Sequence, residues 1–261
     1  MTTQDFITYL FCPVDDKLNK ANKNHKHSQA NLYPSEVVTL GLLFALKGVG
    51  NRAFYRWISQ NHRDLFPSLP ERTRLFRLFN SHHHLIDVFM ALPSLIGVID
   101  TYGIERREGR SKEQIGRKGI SNQRWIVGGK LCLLLNHLGM VVDWDCDTAN
   151  VYDGAAFQHI VEGVADEMVV FADEGFDKVD WCPANLRLCK RGEWNDRMMI
   201  ETVLSMLTLV CGFKKVMHRA WTYFLTRVGL TMALFNILVQ WHGLPAQEDG
   251  FVPLSIAEFS L

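Results

Sequence analysis

A chain of 261 residues exceeds the roughly 100 to 200 residues of a typical domain, so one large domain or two unequal ones are both open. Hydrophobic residues make up 48% and charged ones 21%, with 16 Phe and 7 Trp; the chain can bury a core, and a disordered tail protein is excluded. The 28 basic and 28 acidic residues cancel overall but not locally: residues 1–90 carry 11 Lys/Arg against 7 Asp/Glu, residues 105–130 carry 8 against 3, and residues 131–180 carry 1 against 11. Basic flanks around an acidic centre suit a protein that holds polyanions with its flanks and divalent cations between them, a solvated surface of mixed charge being the alternative. Six cysteines at 12, 132, 146, 182, 189 and 211 form no CxxC pair, which argues against a zinc knuckle or disulfide scaffold and points to a reducing, cytoplasmic setting. The first residues have no basic and apolar leader, and the apolar stretch Val228 to Trp241 reads as too short and too polar to span a bilayer, so no membrane association is expected.

In chain order, the apolar residues between Ser35 and Leu46 predict a helix with Ser35 as its cap and Pro34 before it. Gly48-Val49-Gly50 breaks it, and Asn51 opens a second helix with Phe54, Trp57 and Ile58 on one side and Arg52 and Arg56 on the other. Helix, glycine turn, helix is the outline of a DNA-binding helix-turn-helix, and equally of an ordinary helical hairpin with arginines in solvent. A third helix is expected from about Pro70 to Phe89. The run His82-His83-His84 near its end cannot chelate one metal, because consecutive residues do not share a helix face.

After Pro93 the period changes to that of strands. Leu95 to Ile99 is a short apolar run ending in Asp100. Trp125 to Leu135 and Leu138 to Trp144 read as an antiparallel hairpin turning at Asn136-His137, with Gly139 supporting the turn. Asp153 is expected to cap a helix through about Val164, Met168 to Ala172 to form a buried strand ending at Asp173, and Leu186 to Cys189 a weaker strand. A long helix follows from about Glu193 to Val210, and a last one, apolar nearly all round, from Trp221 to Trp241. This order predicts an α/β (or α+β) layer domain behind an all-helical N-terminal region, divided as residues 1–92, 93–215 and 216–261.

Two hydrophobic runs, Gly97-Val98-Ile99-Asp100 and Val170-Phe171-Ala172-Asp173, each finish in an aspartate. Carboxylates at strand ends stand at the rim of a sheet, and parallel neighbours would bring both to one rim; each alone is also an ordinary turn starter. On the long helix, at about 100° per residue, Trp194, Arg197, Glu201, Ser205 and Thr208 share a stripe opposite Met199, Val203, Met206, Leu207 and Val210. Glu201 therefore faces away from the most apolar side with Arg197 four residues before it, an arrangement that a surface ion pair also explains. Asp143, Asp145 and Asp147 alternate along one strand and read as a wet sheet face.

These residues resemble the DDE transposases of bacterial insertion sequences, whose catalytic domain is ribonuclease H-like. The markers are Val98-Ile99-Asp100, Thr148-Ala149-Asn150-Val151-Tyr152-Asp153, Phe171-Ala172-Asp173-Glu174-Gly175-Phe176 and Arg197-Met198-Met199-Ile200-Glu201-Thr202, with Tyr33-Pro34-Ser35-Glu36 and Asn51-Arg52-Ala53-Phe54-Tyr55-Arg56-Trp57 similar to the family's leader. The resemblance implies a mixed sheet flanked by helices, with Asp100, Asp173 and Glu201 as a catalytic, metal-binding triad and Arg197 as a DNA-contacting or triad-supporting residue on the same helix as Glu201. Trp194 and Thr208 stand where many relatives have Tyr and Lys, and Glu174 where a basic residue is common. Three carboxylates suit two Mg²⁺ or Mn²⁺ ions about 3.5 to 4 Å apart, one activating the attacking oxygen and the other stabilising the leaving one. The basic segment Arg106, Arg107, Arg110, Lys112, Arg117, Lys118 and Arg124 would meet DNA phosphates beside them, with Arg52 and Arg56 contacting double-stranded DNA from the N-terminal region. The implied activity is cleavage and joining at element ends, with a homodimer to hold two ends. A nuclease of the same fold without strand transfer and an inactive DNA-binding remnant are the alternatives.

Overall fold

Helix formation begins earlier than the apolar periodicity at Ser35 suggests. Thr3–Lys20 forms α1: the Thr2 hydroxyl accepts from the Asp5 amide at 3.2 Å while the Asp5 carboxylate accepts from the Thr2 amide at 3.0 Å, a reciprocal cap that satisfies two otherwise orphaned donors. Phe6, Ile7, Leu10, Val14 and Leu18 lie buried along one side of it. Each such side chain contributes roughly 1.5–3 kcal/mol by leaving water. The computed structural model describes residues 2–105, 117–121, 124–177, 183–189, 197–213, 218 and 220–243.

Helix α2 spans Pro34–Lys47, and its cap is Tyr33 rather than Ser35. Pro34 takes the first helical position, where a missing amide costs nothing, and the Glu36 carboxylate accepts from the Tyr33 amide at 2.7 Å. Gly48, at φ 62°, ends the helix as expected. Helix α3, Asn51–Asn61, leaves at 117° to α2 with Phe54 and Ile58 inside and Arg52 and Arg56 exposed. The expected third helix is shorter: α4 covers Arg72–Ser81, and His83–Phe89 tightens into a 3-10 segment. The Ser81 hydroxyl and the His82 ring both turn back onto the Leu78 carbonyl, at 3.1 and 3.0 Å, competing with continuation of the α ladder.

A mixed sheet follows, of β1 (Ile96–Glu105), β2 (Arg117–Ser121), β3 (Arg124–Asn136), β4 (Val141–Thr148), β5 (Val169–Ala172) and β6 (Leu186–Leu188). Its order is β2-β3-β1-β5-β6, with β4 also paired to β3. β3 runs antiparallel to β1, β2 and β4, whereas β5 runs parallel to β1 and β6 parallel to β5. This is the expected ribonuclease H-like mixed sheet flanked by helices. At the β3–β4 turn the Asn136 side-chain oxygen accepts from the Leu138 and Met140 amides, both at 3.1 Å, and Gly139 adopts φ 74°. Three expectations change. β1 continues through Asp100 to Glu105, because β3 pairs with it out to Gly128. Arg117–Ser121, inside the basic segment, is a strand. The helix expected from Asp153 to Val164 is two short ones, α5 (Asp153–Ala156) and α6 (Gln158–Glu162), interrupted where Phe157 is fully buried.

The two faces of the sheet carry separate cores. Ile99, Cys132, Leu134 and Val170 face α5 and α6, packing on Phe157, Ile160 and Val161. Val98, Leu131, Leu133 and Leu135 face the other way, in one continuous core with α7 (Arg197–Leu209), α8 (Trp221–His242) and the N-terminal helices. α8 takes the expected bounds to within one residue, and its 22 residues have the length and apolarity of a membrane span, where the stretch Val228 to Trp241 alone reads as too short; 83% of its apolar window is buried inside the protein. It lies against α2, α4, the 3-10 segment and β4. Its polar residues have partners: Asn236, wholly buried, donates to the carbonyls of Phe89 at 3.0 Å and Val141 at 2.7 Å and accepts from the Val141 amide at 2.8 Å. Where α8 crosses the sheet, a Cβ on Gly229 would stand 2.1 Å from Ile86 Cδ1 and 2.7 Å from Trp144 Cζ2. Gly229→Ala is expected to cost about 1–3 kcal/mol through overpacking, seen as a fall of several degrees in Tm.

Candidate active site

Parallel pairing of β1 with β5 sets Ile96 opposite Val169, Gly97 opposite Val170 and Val98 opposite Phe171. Continued by two residues, the same register sets Asp100 beside Asp173. β5 stops at Ala172, since the Asp173 carboxylate turns to accept from the Gly175 amide at 2.9 Å and caps the 3-10 turn Glu174–Phe176. Asp100, expected at a strand end, instead lies in the middle of β1. It still stands at a rim, because its parallel neighbour has ended there. Both aspartates are partly buried.

Side chains alternate along a strand, so Asp100 shares a face with Val98, which belongs to the core containing Ile200, Val203, Leu204 and Leu207 of α7. Helix α7 packs on β1. Glu201 follows the buried Ile200 and is exposed, as its stripe predicts. Arg197 opens the helix one turn earlier. Register thus brings the segments that carry Asp100 and Asp173 to one rim of the sheet, and Glu201 rides on the helix packed on β1. Among the described residues no three His, Cys, Asp or Glu side chains form a group able to hold a metal ion. The donors nevertheless fit a hard divalent cation in kind: all are carboxylate oxygens, and two neighbouring carboxylates repel unless a cation or proton lies between them.

Two further residues adjoin the pair. Lys130, in the apolar middle of β3, is buried and donates to Asp153 Oδ1 at 2.6 Å and to the Val151 carbonyl at 2.7 Å. Asp153 Oδ2 accepts from the Thr101 hydroxyl at 2.9 Å. Asp153 is therefore not the helix cap expected of it; Tyr152 holds that position. The signal for this pair is a lysine inside a hydrophobic strand, which must find a partner when buried. Cys132 lies beneath the site, its thiol pushed far up by burial and by the charges of Asp153 and Asp100, so it stays protonated and is no nucleophile. On β4, Asp147 is exposed and Asp145 lies 3.3 Å from His159, in keeping with a wet face. Asp143 departs from it: burial raises its carboxyl pKa above the usual range.

The basic residues are spread more widely. Arg52 and Arg56 stand exposed on α3, and Arg72, Arg74 and Arg77 on α4. Arg117 and Lys118 lie on β2 and Arg124 on β3. Arg106, Arg107, Arg110 and Lys112 lie outside the described residues, as do Glu193 to Asp196, expected to start the long helix. Residues 92–194 match the family model described as the transposase DDE domain. That stretch contains Asp100, Lys130, Asp153 and Asp173 and ends before Glu201. No curated protein and no solved structure matches the chain.

Proposed function

We propose, for a chain whose residues 92–194 match the model of the transposase DDE domain, a DNA transposase that cuts at the ends of an insertion sequence and joins those ends to target DNA. The observation that supports this reading is the β1–β5 register, which pairs Val98 with Phe171 two residues before Asp100 and Asp173, with α7 packed on β1. Asp100, Asp173 and Glu201 would hold two Mg²⁺ or Mn²⁺ ions, which when bound would supply activation of the attacking oxygen and charge stabilisation on the leaving one. In this reading residues 93–215 carry the cutting site, residues 1–92 recognise the terminal repeats, and the helix within residues 216–261 packs on the catalytic domain. The α7 Arg197 and the cations at 106, 107, 110, 112, 117, 118 and 124 hold DNA phosphates at the site. A homodimer brings two ends together.

A strand-transfer assay with precut, labelled ends tests the proposal. Joined product is expected; cleavage of uncut ends with no joining of precut ones indicates a nuclease of the same fold. Absence of Mn²⁺ binding by calorimetry indicates a DNA-binding remnant. The N-terminal role has its own test. The Gly48-Val49-Gly50 turn and the 117° bend between α2 and α3 match helix-turn-helix geometry, with Arg52 and Arg56 on the free face of the second helix. The double substitution Arg52→Ala, Arg56→Ala is expected to lower the slope of log K against log salt by about 1.8, at about 0.9 per lost phosphate contact. Fluorescence anisotropy across a salt series measures it, and an unchanged slope removes α3 from the interface.

A further inference from the structure

We propose that Asp153, ion-paired with Lys130, is a positioning residue that fixes the strand carrying Asp100 against the turn carrying Asp173. The inference rests on the reading of those two aspartates as metal ligands and adds a residue that acts through them.

Segment 151–154 is tied to three separate elements. It reaches β3 through the Lys130 ammonium, shared between the Val151 carbonyl at 2.7 Å and Asp153 Oδ1 at 2.6 Å. It reaches β1 through Thr101, the neighbour of Asp100, whose hydroxyl donates to Asp153 Oδ2 at 2.9 Å. It reaches the 173–177 turn at three points. The Tyr152 hydroxyl donates to the Asp177 carbonyl at 2.6 Å. A Cβ on Gly154 would stand 2.7 Å from the Phe176 carbonyl oxygen, so the two backbones lie in direct contact. The Cβ position of Gly175 lies 2.9 Å from Asp173 Oδ1 and 3.5 Å from Asp153 Oδ2, so both carboxylates flank the same glycine.

Stability alone gives little reason for this pair. A buried ion pair is often replaced by apolar residues of similar size at no cost, and the middle of β3 is otherwise a run of apolar residues that would accept one. Lys130 and Asp153 side chains are only 11% and 19% exposed, so the desolvation penalty is real. Their placement accounts for it. Asp100 and Asp173 stand on neighbouring segments, and the segment that holds those supports together is itself anchored by a carboxylate. Lys130 cancels the charge of that carboxylate, so the anchor adds no net anion beside the two aspartates. Both oxygens of Asp153 are engaged, one by Lys130 and one by Thr101, which suits a brace rather than a ligand.

The test uses the full-length protein with Mn²⁺ alone as probe, read by calorimetry, alongside Mg²⁺-dependent cleavage. The isosteric Asp153→Asn is expected to fold with a lowered Tm, because the buried Lys130 loses its counter-charge, and to keep its DNA affinity. It should weaken Mn²⁺ binding by about 10–100-fold, the usual loss when a residue supporting metal ligands is removed, with Asp153→Glu recovering part of it. The double substitution Lys130→Met, Asp153→Leu separates geometry from stability: a folded protein with equally weakened Mn²⁺ binding supports the proposal. Wild-type Mn²⁺ affinity and cleavage in Asp153→Asn overturn it, whether or not the double variant folds. Asp100→Ala, run in parallel, distinguishes the two layers. If Asp100→Ala loses Mn²⁺ binding while Asp153→Asn keeps it, only the positioning role fails; if Asp100→Ala also keeps it, the metal-ligand reading fails and takes this role with it.

Discussion

Asp100→Ala, Asp173→Ala and Glu201→Ala should each reduce Mg²⁺-dependent strand cleavage by about a thousandfold or more while leaving binding of terminal-repeat DNA close to wild type. The size follows from the chemistry: metal-borne charge stabilisation is worth several kcal/mol in the transition state, and each 1.36 kcal/mol is tenfold in rate. DNA binding survives because its affinity comes chiefly from phosphate contacts by cations elsewhere in the chain. Removing a carboxylate even eases the approach of phosphate. The three variants are not equivalent in their effect on folding. Asp173→Ala also removes the acceptor for the Gly175 amide and so loosens the turn, at about 1 kcal/mol. Glu201 is exposed, and Glu201→Ala should leave Tm unchanged, making it the cleanest of the three. Gel-based cleavage of an end-labelled substrate beside anisotropy on the same DNA separates chemistry from binding. Cleavage within tenfold of wild type in all three variants would refute the triad.

The second large effect is on stability. Arg227→Met should lower stability by roughly 3 kcal/mol or more, a drop on the order of 10 °C in Tm for a chain of this size. Arg227 is buried in α8, and among the described residues no carboxylate pairs with it. Its guanidinium donates instead to the carbonyls of Phe44, Ala45 and Cys211 and stacks 4.4 Å over the Phe44 ring. Burial pulls its pKa down to about 10, so it remains charged at neutral pH. Two helix ends converge on this one cation: the last turn of α2, and the exit of α7 at Cys211. Carbonyls at helix C-termini carry partial negative charge and lack intrahelical donors, so a cation there does the work of a counter-ion. The neighbouring glycines explain how they come so close. Gly48 and Gly212 both adopt positive φ, at 62° and 60°, and a Cβ on Gly212 would stand 3.2 Å from Gly48 Cα. Arg227→Met strands the carbonyls, whereas Arg227→Lys keeps one charged donor without the planar fork and should fall between. A wild-type Tm for Arg227→Met in thermal denaturation would show that the carbonyls find other partners.

Much of the fold is written locally. The apolar runs that end in Asp100 and Asp173, the glycine break after Lys47, and the Asn136 and Gly139 turn all express short-range sterics and burial that a stretch of a dozen residues contains. The exposed position of Glu201 follows from helical period alone. Residues whose role depends on distant partners were harder to read. Asp153 has the local signature of a cap, and only the arrival of Lys130 from β3 and Thr101 from β1 makes it a brace. Arg227, in an apolar stretch, gives no sign that its partners lie at Phe44, Ala45 and Cys211.

What the sequence determined by itself is therefore most of the helices and strands, though neither α1 nor β2, together with Asp173 at a strand end and Glu201 on a helix's outer stripe. What the tertiary structure alone decided is that β1 extends past Asp100 because β3 lends it a partner, that β5 rather than another strand lies beside it, and which side of the sheet α7 covers. The physical reason is one of range. Backbone preference and side-chain periodicity act over a few residues, whereas strand register and buried ion pairing depend on segments far apart in the chain, whose contacts exist only once the core has closed.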